Sequence, residues 1–233
     1  MNSVKLLDRM DKKFTFPITQ LDDVLELARK DYKVLMISGK RYAEYETRYF
    51  DTPEFEMYTK HHNRNLNRHK VRIRTYLDSD LEFFEVKFKT NKGRTIKKRV
   101  VRDVGDYSIE QEAKTLLEKR TPYENNELQE AIRVYYNRIT LVNNNLKERI
   151  TIDLDLHYEL GDKTKSFANM VIAEVKQDKS EQSHFIDIMR KLRIKDISIS
   201  KYCLGVASLA PGVKINNFKI KLHYVHKLCN LPA

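Results

Sequence analysis

The stretch KERITIDLDL, residues 147–156, alternates between polar and apolar side chains from Arg149 onward. Its polar members are mostly on odd positions (Lys147, Arg149, Thr151, Asp153 and Asp155) and its apolar members on even positions (Ile150, Ile152, Leu154 and Leu156). A period of two residues is that of a β-strand, because successive side chains of a strand point to opposite faces. The segment therefore predicts a strand with one apolar face and one charged face.

The same period recurs along most of the chain. It is clear in 9–16, 71–76 and 83–89, and weaker in 43–50, 94–101, 134–142 and 170–176. Apolar stripes at helical spacing interrupt these segments, beginning at Thr19 and at Ser108 and running through 181–193. We therefore predict an α+β fold in which about eight strands, joined mostly by short connections, form an antiparallel meander or barrel with helices outside it.

The composition is that of a basic chain with enough apolar residues for a core. Its 233 residues carry 44 Lys+Arg against 33 Asp+Glu, a formal net charge of +11, and 41% of them are hydrophobic. This charge favours a polyanionic partner, which can be a nucleic acid, an anionic membrane or a phosphorylated substrate. The sequence has no GxxxxGK[ST] or GxGxxG loop, so we expect side chains rather than a glycine-rich backbone to hold any phosphate.

Other sequence features bear on location and domain organisation. The longest uncharged stretch, 202–213, is too short for a membrane-spanning helix, and the first residues lack the apolar core of a signal peptide. Cys203 and Cys229 make no disulfide framework and suit a reducing compartment. We expect a cytoplasmic protein without a transmembrane segment of its own. The sequence has no linker or internal repeat, which predicts a single domain over residues 1–233.

The polar faces of the predicted strands repeatedly carry Arg and Lys two residues apart. For one strand, a solvated face is the simpler interpretation; for many strands together it is less favoured, because like charges on neighbouring strands repel each other. Strands closed into a barrel with these charges inward would form a cationic tunnel that focuses its field on an anion. Four carboxylates on the same faces are either ion-pair partners or ligands for Mg²⁺ or Mn²⁺: Asp11, Glu85, Asp153 and Glu174.

Seven blocks of the sequence carry a family resemblance: YETRYFDTPEFEMY (45–58), KVRIRTY (70–76), FFEVKFK (83–89), YYNRITL (135–141), ERITIDLDL (148–156), VIAEVKQ (171–177) and SISKYCLG (198–205). Together they resemble the VTC domain, the polyphosphate polymerase domain of vacuolar transporter chaperone proteins, in the triphosphate tunnel superfamily that also contains CYTH phosphatases and cyclases. The likeness runs over about 7–205 and leaves a basic C-terminal extension, 206–233. It implies an eight-stranded antiparallel β-barrel that forms a triphosphate tunnel, in agreement with the alternation.

The resemblance also implies roles for particular side chains. The family's catalytic cations match Arg72, Arg74, Lys87, Arg138 and Arg149. Its other phosphate-binding positions match Lys13, Lys97, Tyr136, Ser200 and Lys201. Its metal-binding glutamate matches Glu174, which implies Mn²⁺ or Mg²⁺ as the cofactor, and Asp11, Glu85 and Asp153 are additional candidate ligands.

Two departures from the family pattern bear on activity. CYTH-type members begin with Glu-x-Glu-x-Lys, where this chain has Arg9-Met10-Asp11-Lys12-Lys13. The replacement of one carboxylate by arginine disfavours a simple triphosphatase and favours the VTC branch. A lysine that the family often has two residues before the late serine is Ser198 in this chain, so one cation near the end of a bound phosphate chain is lost.

The function implied is a metal-dependent transfer of the γ-phosphate of ATP to a growing polyphosphate chain inside the tunnel. Two alternatives stay open: a triphosphate or polyphosphate phosphohydrolase of the same fold, and a module that binds polyphosphate or nucleotide without turnover. Nucleic acid is not expected as a partner, because its binding favours an exposed basic patch with stacking aromatic residues. Eukaryotic members couple synthesis to membrane translocation, so a separate membrane-protein partner is compatible with the resemblance.

Two further features are interpreted as structural. We expect His61 and His62 to be solvated, because they lie in a charged helical stretch. We interpret the run 214–227 as a basic surface segment. A third feature is the helical spacing of His223, His226 and Cys229, but these residues lack a fourth ligand, which disfavours a zinc site.

Overall fold

Ten strands form one antiparallel sheet in the computed structural model, which describes residues 9–37, 39–178 and 181–230. The strands are β1 (Arg9–Pro17), β2 (Tyr32–Val34), β3 (Tyr42–Asp51), β4 (Arg68–Tyr76), β5 (Leu81–Lys89), β6 (Thr95–Arg102), β7 (Gln129–Asn143), β8 (Arg149–Leu160), β9 (Lys163–Phe167) and β10 (Met170–Asp178). Every segment predicted from the two-residue period falls on one of these strands. Only the short strands β2 and β9 were not predicted.

The order of the strands brings the two ends of the sheet towards each other. Eight strands follow the path β1-β10-β8-β7-β3-β4-β5-β6, while β2 pairs with β7 and β9 pairs with β8. Residues of β1, β5 and β6 line one cavity, so the sheet curves until its two ends face the same space. Within the described residues, no strand pairing joins β1 to β6. The prediction of an antiparallel α+β fold is confirmed, whereas closure of the sheet into a barrel is not.

The described residues form six α-helices: α1 (Leu21–Ala28), α2 (Glu56–His62), α3 (Gln111–Arg120), α4 (His184–Lys191), α5 (Lys201–Leu209) and α6 (Lys219–Cys229). The three predicted helices correspond to α1, α3 and α4. Val24 of α1 and Met189 of α4 share a buried cluster with Phe16, and Leu117 of α3 packs in another with Phe84. These helices therefore bury their apolar stripes against the sheet. None of the helices in the described part of the chain has the length and apolar character needed to cross a membrane.

Helix α5 lies unusually close to the sheet because of Gly205. A Cβ atom at this position would lie 2.4 Å from Cδ1 of Ile132 and 2.5 Å from Cδ1 of Tyr158, so a larger residue would push the helix away. The close approach fixes the N-terminus of α5. There the hydroxyl of Ser200 accepts a hydrogen bond from the backbone N–H of Cys203 at 3.2 Å. Ser200 and the residue after it are thereby held at the edge of the cavity.

Helix α6 packs against the sheet and lines its cavity. Val225 is fully buried, and the hydroxyl of Tyr224 donates a hydrogen bond to the backbone carbonyl of Thr15 at 2.7 Å. The ammonium group of Lys221 donates to the backbone carbonyl of Ser198 at 2.5 Å. The interpretation of 214–227 as a surface segment is therefore wrong for the inner face of α6. The prediction of one domain over 1–233 stays a prediction.

Candidate functional site

The curved sheet encloses a cavity of about 420 Å³. Strand residues form most of its wall, and residues of α2, α5 and α6 complete it. The basic residues that line it are Lys13, Arg68, Lys70, Arg72, Arg74, Lys87, Lys89, Arg138, Lys176, Lys201 and Lys221. These eleven cations face two carboxylates, Asp11 and Glu174, so the cavity carries a large net positive charge.

The cations of the wall come from alternate positions of neighbouring strands. In β4, Arg72 and Arg74 face the cavity, while the alternate residues Val71 and Ile73 are fully buried on the other face. The register sets Lys87 of β5 directly beside a lysine of β4. Four further cations line the cavity that were not among the expected site residues. Each belongs to a series of alternate strand positions that includes an expected site residue: Arg68, Lys70, Lys89 and Lys176. The alternation that predicted the strands is therefore the signal that locates these residues too.

One part of the wall is neutralised by a buried carboxylate. Nε of Arg138 donates to Oδ1 of Asp153 at 2.5 Å, and a second guanidinium nitrogen donates to Oδ2 at 2.8 Å. Lys201, in the first turn of α5, pairs with the same carboxylate. Burial opposes ionisation of Asp153, but Arg138 and Lys201 hold its pKa well below the usual value. We call Arg138, Lys201 and Asp153 the matched group.

Arg72 is neutralised in a similar way. Its Nε donates to the buried carboxylate of Glu85 at 2.6 Å, and it also donates to the hydroxyl of Tyr49 at 3.3 Å. Lys97 of β6 pairs with the other oxygen of Glu85. Burial raises the pKa of Glu85, but Arg72 and its neighbouring cations lower it overall, so that the group stays ionised. Glu85 and Asp153 therefore act as ion-pair partners, which disfavours both as metal ligands.

Six cations of the wall have no carboxylate within ion-pair distance among the described residues. Three of them, Arg68, Lys89 and Lys221, donate hydrogen bonds to backbone carbonyl groups. We call the other three, Lys70, Arg74 and Lys87, the unmatched group. Nζ of Lys70 donates to the hydroxyl of Ser200 at 2.8 Å, and Nε of Arg74 donates to that of Thr47 at 3.4 Å. The charge of Arg72, together with burial, lowers the pKa of Lys87 well below its usual value. Burial lowers the pKa of Lys70 to about 8. Positive charge in this group is unfavourable until an anion enters.

Glu174 of β10 is the carboxylate best placed to hold a metal. Its oxygens lie 3.6 Å from Nζ of Lys13 and 3.5 Å from Nζ of Lys176. Burial opposes its ionisation, but these two lysines hold the pKa of Glu174 well below the usual value. In the described ranges, no three His, Cys, Asp or Glu side chains meet as a metal cluster. Glu174, with Asp11 on the same wall, fits Mg²⁺ or Mn²⁺ that takes its other oxygen ligands from phosphate and water.

The structure brings most of the expected site residues to the cavity: Lys13, Arg72, Arg74, Lys87, Arg138, Ser200, Lys201 and Glu174, with Asp11. Lys97 and Tyr136 do not line it: Lys97 lies beside Lys87 in the register, and Tyr136 is buried. The ring of Tyr136 supports two of the cations, since Arg138 and Lys201 lie 5.3 and 4.7 Å from its centroid. Arg149 is exposed and does not line the cavity. Its catalytic role stays a prediction that this position does not favour.

Neither histidine of α2 is the solvated side chain that we expected. His62 is 3% exposed, and its Nε2 accepts a hydrogen bond from the backbone N–H of Asn217 at 3.1 Å. His61 lines the cavity. The expectation was wrong because α2 packs against the segment that precedes α6. That contact joins parts of the chain 155 residues apart, so local sequence does not reveal it.

The fold and the site together are those of an antiparallel sheet curved around a cationic cavity. The VTC domain matches residues 8–210, and the chain belongs to the VTC-domain family. The resemblance carried by the seven sequence blocks is thereby confirmed. None of the curated proteins matches the chain significantly in sequence.

The solved structures that are similar to this chain include the following two. One is the putative adenylyl cyclase HpAC1 from Hippeastrum, whose dominant activity is that of a triphosphatase; its TM-score is 0.57 at 11% identity, over 87% of this chain and 98% of that one. At this identity the similarity supports the fold alone. The other is the PH1819 protein of Pyrococcus horikoshii OT3, with a TM-score of 0.45 at 15% identity, over 85% of this chain and 98% of that one. The second similarity is too low to support an argument.

Proposed function

We propose that this protein is a metal-dependent polyphosphate polymerase that transfers the γ-phosphate of ATP to the end of a polyphosphate chain. The family and the cationic cavity support the coarser statement that it handles triphosphate or polyphosphate. The observation that carries the proposal is the lining of the cavity, eleven cations against two carboxylates. A chain of phosphates, charged along its length, is a ligand that can neutralise such a wall.

Phosphoryl transfer depends mainly on positioning and on stabilising the charge of the phosphoryl oxygens. Arg72 and Arg138 are oriented by their buried carboxylates. Their planar guanidinium groups would hold phosphate oxygens in a fixed geometry. Arg74 and Lys87 have no carboxylate to neutralise them, so their charge would act on the transferred group. Arg72 and Arg138 would thus position the phosphate oxygens, and Arg74 and Lys87 would stabilise their negative charge.

The acceptor in this reaction needs little help from a base. The terminal phosphate of a polyphosphate is already ionised; its oxygen attacks the γ-phosphorus while the bond to the β–γ bridging oxygen breaks, and ADP leaves with that electron pair. Lys70 and Ser200, which are hydrogen-bonded to each other, would bind oxygens of the phosphate chain. When bound at Glu174, Mn²⁺ or Mg²⁺ would supply Lewis-acid stabilisation of those oxygens.

The proposal is tested by the products that the wild-type protein makes from ATP and Mn²⁺. ADP, orthophosphate and polymer are measured separately in the same reaction, with and without a short polyphosphate primer. If the amount of ADP formed rises in proportion to the phosphate incorporated into long polymer, the result supports the polymerase. If ADP forms together with an equal amount of orthophosphate, the protein is instead a phosphohydrolase. If polyphosphate binds but no turnover occurs with any metal, the protein is instead a binding module. The separate membrane-protein partner stays a prediction from the family.

A further inference from the structure

His61 has a position that the proposed reaction does not use. It lies near the end of α2 and lines the cavity, where its ring packs edge-on against Phe218 at a centroid distance of 6.2 Å. Its Nδ1 is buried and has no hydrogen-bond partner among the described residues. A buried polar atom is normally paired, because leaving it unpaired costs free energy. The imidazole therefore lies at a cavity lined by cations and contains a buried nitrogen with no hydrogen-bond partner among the described residues.

The charged groups with the largest effect on this ring are basic, while the carboxylates of the same cavity are Asp11 and Glu174. Lys13 of β1, Arg68 and Lys70 of β4, and Lys221 of α6 act on it electrostatically. The thiol of Cys203 in α5 lines the same cavity. Burial and these four cations lower the pKa of His61 from the ordinary 6.5 to about 2, so the ring is neutral when no ligand is present. A phosphate chain placed among the same cations would reverse the sign of the field at the ring.

We propose that His61 is a phosphate ligand that takes up a proton together with the polyanion, so that binding of triphosphate is linked to protonation of this side chain. The inference rests on the proposed function only in that the cavity takes a phosphate polyanion. The proton comes from solvent and is held on the imidazole ring. The protonated ring then donates a hydrogen bond to a phosphate oxygen. Imidazolium is a stronger donor to an anion than neutral imidazole.

The test is calorimetry of tripolyphosphate binding without metal, at about pH 6 and about pH 8, in buffers of different ionisation enthalpy. The number of protons taken up is compared between wild type, His61→Gln and His61→Arg. His184→Gln is the matched control, because His184 is an exposed histidine outside the cavity. The comparison with His61→Gln is needed because Lys70 and Lys87, whose pKa values are also lowered, take up protons on binding as well.

At pH 6 we expect wild type and His184→Gln to take up nearly one proton more than His61→Gln. The affinity of His61→Gln should fall about tenfold at pH 6 and little at pH 8. His61→Arg should bind tightly at both values without the additional proton. Nitrogen NMR of the histidine rings in wild type gives an independent readout, since one ring should become protonated during the titration.

Two results would overturn the inference, and they differ from failure of the proposed function. If wild type binds tripolyphosphate but takes up the same number of protons as His61→Gln, His61 is not the acceptor. If no histidine ring changes protonation in wild type during the titration, the same conclusion follows without any variant. If wild type does not bind tripolyphosphate at all, the proposed function fails first and this inference fails with it.

Discussion

The cations of the matched group and those of the unmatched group lie on the same wall, yet their surroundings differ. In the matched group, Arg138 and Lys201 share the carboxylate of Asp153, whose side chain is 4% exposed. In the unmatched group the hydrogen-bond partners are hydroxyl groups rather than carboxylates. A cation beside a buried carboxylate supports the fold, because its removal leaves a buried negative charge. A cation without such a partner opposes folding and favours an anionic ligand. Stability and ligand binding are therefore assigned to different residues of one wall.

The largest effect is expected at Glu174, which both Lys87 and Arg138 influence electrostatically. Glu174→Gln should reduce metal-dependent turnover of ATP by about 100- to 1000-fold, because a neutral amide cannot hold a divalent ion among so many cations. Binding of triphosphate without metal should persist or become tighter, since a negative charge is removed from the cavity. ADP release is measured while Mn²⁺ is titrated, with Glu26→Gln as the control, because that carboxylate is exposed and does not line the cavity. An unchanged metal dependence in Glu174→Gln would remove Glu174 from the metal site.

The next effect separates the two groups by stability. Arg138→Ala should lower the free energy of unfolding by about 2–3 kcal/mol, because Asp153 then keeps only Lys201 as its partner. Arg74→Ala should change the free energy of unfolding much less, because Glu85 loses one nearby positive charge but keeps both of its ion-pair partners, Arg72 and Lys97. Urea denaturation at neutral pH measures both variants. If both substitutions lower the free energy of unfolding equally, a carboxylate partner makes no difference to what a cation contributes to stability.

A third substitution concerns ligand affinity. Lys87→Met should weaken triphosphate binding about tenfold, because a charge-assisted contact is worth about 1.5–3 kcal/mol and part of it is offset by relief of repulsion. The same variant should be somewhat more stable without ligand, since the charge of Arg72 and burial both disfavour a positive charge at Lys87. Lys98→Met on β6 is the control, because that lysine is exposed and does not line the cavity. If Lys87→Met binds triphosphate as tightly as wild type, the charge of Lys87 does not contribute to binding.

The sequence predicts the strands and the charged wall because both depend on local periodicity. Arg72 and Arg74 share a face through their spacing alone, whatever the rest of the chain does. The same periodicity places Arg149 on the polar face of β8, but it does not say how far along the strand the cavity extends. Position along a strand depends on how the sheet curves and on what covers its ends. This is why Arg149 was expected in the site and is found exposed.

The second limit on prediction from the sequence is that it does not show which residues pair across the sheet. Asp153 and Glu85 have the residue type and the face of a metal ligand, and only the register shows that each already pairs with two cations. The contribution of α6 and the position of His61 depend on contacts between distant segments, such as that of Tyr224 with Thr15. Local patterns carry no information about such contacts. Closure of the sheet is likewise a property of its ends, which strand periodicity does not determine.

The smallest expected effect is a dependence on pH that tests the unmatched group as a whole. The pKa of Lys70, about 8, lies below its ordinary value of 10.5, mainly because of burial. Between these two values the unfolded chain binds more protons than the native protein, so the free energy of unfolding rises with pH. From pH 8 to about 9.5, below the titration of the tyrosines, we expect a gain on the order of 1 kcal/mol.

Saturating triphosphate should abolish this gain, because a bound anion keeps Lys70 charged across the window. The affinity for triphosphate should fall over the same range as the unliganded lysine loses its proton. Urea denaturation at a series of pH values measures the first effect, and calorimetry measures the second. Lys70→Met is the control, since it cannot titrate and should give a flatter profile in both experiments. A wild-type profile as flat as that of Lys70→Met would mean that Lys70 keeps an ordinary pKa, and that Ser200 already provides the partner that we assign to the anion.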